Sequence, residues 1–161
     1  MSKISGKKSF LSQKGFSILE IVVVISILFI ISSFSYASFV YLNQRENLDK
    51  EALSILSFLE EARSSTLGSK NALQYGVHFE ASKAVFFSGS NYNATDPANV
   101  ILTLSPIIRI SSINLYGGGS DVVFERLSGE TFDNGSVSVS MTVSSSSRTI
   151  NVQRSGLAEI N

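Results

Sequence analysis

The 161-residue chain carries thirteen Lys/Arg, thirteen Asp/Glu, one histidine and no cysteine. The lack of cysteine excludes disulfides and thiolate chemistry, and a lone histidine excludes the usual His/Cys metal centres. Residues 1–15 hold four of the basic residues (Lys3, Lys7, Lys8 and Lys14) and no acid, so nine basic residues face thirteen acidic ones in the remainder. A net acidic remainder has no general attraction for nucleic acid.

Residues 1–15 are polar and basic, and read as a processed leader outside the fold. From Ile21 to Gln44 there is no charged residue. At about 1.5 Å per residue such a run reaches about 36 Å, against a hydrocarbon core of about 30 Å, which predicts a membrane-spanning helix over residues 16–42. Basic residues ahead of an apolar run stay on the cytoplasmic side, so the C-terminal part is expected outside. Glu20 sits at the start of the run, where a carboxylate is costly and calls for a partner. Ser26, Ser32, Ser33, Ser35 and Ser38 are small enough for close helix approach, and their hydroxyls can also bond back to the helix backbone.

Residues 43–70 change character without a breaker. Leu48, Ala52, Ile55, Leu59 and Ala62 recur at spacings of three and four, an apolar stripe that Leu53 and Leu56 are expected to widen. The helix therefore continues as an amphipathic half, with Gly68 and Asn71 as terminators. From Gln74 the period becomes two: Val77/Phe79, Val85/Phe87, Ile108/Ile110, then Val137, Val139, Met141 and Val143 alternating with serine. This predicts a half-buried antiparallel sheet of six to eight short strands over residues 71–161. Asp133-Asn134-Gly135 and Gly117-Gly118-Gly119 mark turns, and residues 88–99 a polar loop. The expected fold class is α+β: a long N-terminal helix, membrane-spanning in its first half and amphipathic in its second, packed on an antiparallel sheet.

Gly15-Phe16, Glu20 and the apolar run together resemble the N-terminus of type IV pilins and type II secretion pseudopilins. The resemblance covers about residues 7–42. It implies cleavage between Gly15 and Phe16 by a prepilin peptidase, N-methylation of Phe16, and an assembly contact between the Phe16 amine of one subunit and Glu20 of a neighbour. It also implies a pilin-like head and single-pass insertion in the inner membrane before filament assembly. The implied partners are other pilin or pseudopilin subunits, the peptidase, the assembly platform and membrane lipid. No cofactor is implied. Many members close their C-terminal region with a disulfide, and its absence here points to a minor component. The closing segment from Ile150 to Gly156 is similar to the minor pseudopilin H-like subfamily.

No motif points to an enzyme: there is no Gly-x-Ser-x-Gly elbow and no phosphate-binding glycine loop. His78 reads as a satisfied strand histidine. Asp133 and Asn134 could offer oxygens to calcium, but a hairpin turn explains them equally. Arg109, Arg148 and Arg154 are too few to bind phosphates as a cluster, which weighs against a minor pilin that aids DNA uptake. A further alternative is a secreted β-rich binding module. Residues 21–34 would be the core of a Sec-type signal and Ser35-Tyr36-Ala37 its cleavage site, releasing a domain from Ser38. Cutting there is expected to expose the amphipathic half of the helix. An uncleaved anchor holding an enzyme or adhesin is the third alternative.

Overall fold

The computed structural model describes Gly15 and residues 17–161, with residues 34–38 described in backbone only. Helix α1 runs Ile18–Leu67. The chain divides within it into two compact units, the boundary falling between Tyr41 and Leu42. The expected helix was one spine crossing a membrane, and that expectation is corrected. Among the described residues no helix is long and apolar enough to cross a membrane. The transmembrane and pilin-like fold assignments, and with them single-pass inner-membrane insertion, are therefore overturned.

The unit from Leu42 onward holds the second part of α1, a 3-10 turn at Lys70–Ala72 and eight strands. The strands are β1 (Tyr75–Glu80), β2 (Lys83–Ser88), β3 (Val100–Thr103), β4 (Ile108–Leu115), β5 (Asp121–Val123), β6 (Gly135–Met141), β7 (Ser147–Val152) and β8 (Ala158–Ile160). They form two four-stranded antiparallel sheets, ordered β3-β2-β1-β5 and β4-β6-β7-β8, where the sequence pattern suggested one.

One core joins both sheets to the helix. Leu48, Ile55, Leu59 and Ala62 lie in it with Val77, Phe79, Phe86, Val122, Ile108, Val137, Val139 and Ile150. Ala52 is also fully buried. Leu53 does not widen the stripe: it is 57% exposed. It lies about 100° around the helix from Ala52, off the buried line.

The two sheets differ in how they are covered. In β6, Val137, Val139 and Met141 are buried while the serines between them are half-buried, the alternation of a sheet covered on one side. In β2, four consecutive residues, Ala84 to Phe87, are buried. Ala84 and Phe86 face the common core, while Val85 and Phe87 lie on the other face. Tyr92, from the loop that the sequence marks as polar, meets the Phe87 ring edge-on at 5.5 Å between centroids.

Strand β4 breaks its own alternation, with Ile108 and Ile110 in one parity and Ile113 and Leu115 in the other. The register shifts between Ile110 and Ser112. That bulge turns both apolar pairs toward the same core.

Candidate functional site

Of the residues singled out by the N-terminal motif, Gly15 and Glu20 are among those described. Gly15 is exposed, and a Cβ placed on it would meet nothing within 4 Å. Phe16, on which cleavage, methylation and the assembly contact depend, lies outside the described residues. Glu20 is exposed in the first turn of α1, where a carboxylate complements the positive end of the helix dipole.

Around and beyond Glu20 the helix is apolar on every side and uncovered: Ile18 is 82% exposed, Leu19 75%, Phe29 73% and Ile31 57%. Two of its serine hydroxyls bond back to the helix backbone. Ser26 Oγ donates to Val22 O at 2.7 Å and Ser33 Oγ to Phe29 O at 2.8 Å. Such back-bonds satisfy the hydroxyls locally, so these two serines are spacers rather than polar grips on another helix.

In the head, His78 on β1 lies between two carboxylates. Its Nδ1 meets Asp121 Oδ1 on β5, and its Nε2 lies 3.6 Å from Glu80 Oε1. Lys83 Nζ holds the same Glu80 oxygen at 3.1 Å. The imidazole stacks on Tyr92, with centroids 3.9 Å apart and planes 8° from parallel. The arrangement ties β1 to its neighbour β5 and pins the 88–99 loop onto the outer face of the first sheet. Both ring nitrogens face carboxylates of the same sheet.

The other candidates are occupied structurally. Asp133 Oδ2 accepts from Val123 N at 3.0 Å, and Asp133 N donates to Thr131 Oγ1 at 3.1 Å, so this carboxylate closes a loop. Among the described residues no group of three or more His, Cys, Asp or Glu could hold a metal ion. Arg148 Nε is paired with Asp49 Oδ1 at 2.7 Å, tying β7 to the helix. Arg154 lies over the Phe132 ring at 5.1 Å from its centroid. Arg109 is exposed opposite Ser140, whereas Arg148 is opposite the buried Val139, which puts the two arginines on opposite faces of the second sheet. Three cations so placed cannot follow a phosphate backbone.

Two residues that sequence reasoning passed over matter more. Arg63, at the edge of the helix stripe, donates from Nε to Gly129 O at 3.2 Å and from Nη2 to Ser155 O at 3.3 Å, fastening two loops to the helix end. Tyr92 closes a sheet face from within a loop of polar composition. An aromatic residue in such a loop was the signal available.

No family model matches the chain, and neither a curated protein nor a solved structure matches it.

Proposed function

We propose that residues 42–161 work as a β-rich binding module and not as a catalyst, and that the apolar N-terminal segment is a delivery device. The observation that carries this reading is the self-contained head. The helix stripe from Leu48 to Ala62 is buried within the unit that starts at Leu42. A cut by a Sec-type signal peptidase after Ala37 would leave that unit whole. The objection that cutting there exposes an amphipathic helix falls away, because the head covers that half with its own core.

A second reading has its own observation, the uncovered apolar side chains over residues 18–31. An apolar helix with nothing on it is either removed or covered. On the second reading the cut falls between Gly15 and Phe16. The helix stays with the chain and packs against the helices of like subunits in a filament, with the Phe16 amine meeting a neighbour's Glu20. A cation beside that carboxylate lowers its cost in an apolar setting.

The intact mass and N-terminal sequence of the protein from its own cell separate the two. A start at Ser38 supports the released module. A start at Phe16, with or without one added methyl group, refutes release and supports the assembling subunit. A start at Met1 refutes both routes.

A further inference from the structure

The two sheets have four edge strands, and three of them are blunted against further pairing. Strand β4 carries Arg109 and a bulge, β5 has three residues and begins with Asp121, and β8 has three residues with Glu159 at its centre. Charges, bulges and shortness are the devices by which sheet edges avoid pairing with other chains. Strand β3, one residue longer than β5 and β8, has neither a charge nor a bulge. Its residues are Val100-Ile101-Leu102-Thr103, in regular register with β2, and Val100 and Ile101 are 52% and 57% exposed. Every second residue of an edge strand turns its backbone N–H and C=O outward, so β3 offers a ready template.

A hollow of about 270 Å³ opens at the N-terminal end of this strand. Val100, Leu73, Phe86 and Tyr75 give it apolar walls, and Glu61 and Lys70 stand among its lining residues. Its wall includes the segment after α1, where Ser69, Asn71 and Ala72 all have positive φ (49°, 53° and 56°). Backbone held in that region by residues other than glycine is costly and collects at binding sites. Val100 pairs with Phe86 and points to the same face. A residue added opposite Val100 would point to that face too, toward the hollow.

We propose that β3 accepts an extended peptide segment of another protein. The segment adds as a fifth strand of the first sheet and places one apolar side chain in the hollow. Backbone pairing gives the affinity and the hollow gives the side-chain preference, as in other strand-addition sites. Area favours a peptide over a second copy of this chain. Two rigid heads would meet only along a four-residue edge, whereas a flexible strand can pair along that edge and also enter the hollow. The inference rests on the head being a binding module and is independent of which fate the N-terminal segment meets.

The test is selection of displayed random twelve-residue peptides on the full-length chain, followed by titration of the enriched peptides as synthetic, capped molecules. Alternating apolar residues are expected in the enriched set. Ile101→Lys is expected to weaken binding at least tenfold, and so is methylation of alternate peptide amides. Leu73→Lys, at the hollow, serves where Ile101→Lys lowers the melting temperature. Enriched peptides that bind the Ile101→Lys and Leu73→Lys variants as well as the parent would overturn this site and leave the binding-module reading standing. An absence of enriched peptides would overturn both. A dimer of the chain that Ile101→Lys dissociates would put a second copy on the strand and overturn the peptide.

Discussion

Leu59 and Leu53 are six residues apart on one helix and should respond oppositely to truncation. Leu59 is 1% exposed and packed in the common core, whereas Leu53 is mostly in solvent. Leu59→Ala removes buried methyl groups and leaves a cavity between the helix and the sheets, a change that costs about 3 kcal/mol. With a urea dependence of about 2 kcal/mol per molar, the unfolding midpoint should fall by about 1.5 M. Leu53→Ala should stay within about 0.5 kcal/mol, a midpoint change of about 0.25 M. Urea titration followed by far-ultraviolet circular dichroism reads both. Equal shifts would refute the placement of the stripe. A small shift at Leu59 alone would mean that this half of the helix is not part of the head, and the released-module reading would lose its basis.

Gly156→Ala should be among the most damaging single-methyl changes. Gly156 has φ +79°, and an added Cβ would lie 1.8 Å from Gly129 O and 2.9 Å from Arg63 Nε. The strain and the displaced loop should cost about 2 kcal/mol or more, read as a lower melting temperature. Tyr92→Ala should cost about 1–2 kcal/mol by removing the ring from His78 and Phe87. Amide exchange should rise at the 88–99 loop and β5 and stay unchanged in β6 and β7. A uniform rise would show that Tyr92 does not cover one face.

How much was legible differs element by element. The burial of Leu48, Ala52, Ile55, Leu59 and Ala62 could be read because spacings of three and four define one side of a helix, whatever packs there. Leu53 could not be placed from composition alone. The alternation of Val137, Val139 and Met141 identified a face but not a sheet, since period two is silent about which strands pair. That is why one sheet was expected where two formed. The second covered face of β1 and β2 depends on Tyr92 returning from a loop, where a lone aromatic among polar residues hints at burial but not at which face it covers.

A charge-free run from Ile21 to Gln44 measures sequence length, while spanning a membrane depends on the length and apolarity of the helix itself, and among the described residues no helix has both. Of the motif residues, Glu20 and Gly15 are exposed. Arg63 was passed over because its partners are backbone carbonyls 66 and 92 residues away.

Those separations bear on how the protein is made. Arg63 leaves the ribosome early, yet one of its anchors is Ser155, and β8 follows only at Ala158–Ile160. At about 5–20 residues per second, the 92 residues between Arg63 and Ser155 take about 5–18 s to appear. The first sheet can close once β5 has appeared, at Val123, but throughout that interval the stripe from Leu48 to Ala62 lacks the completed second sheet. A nascent chain in this state is a natural client for a holding chaperone.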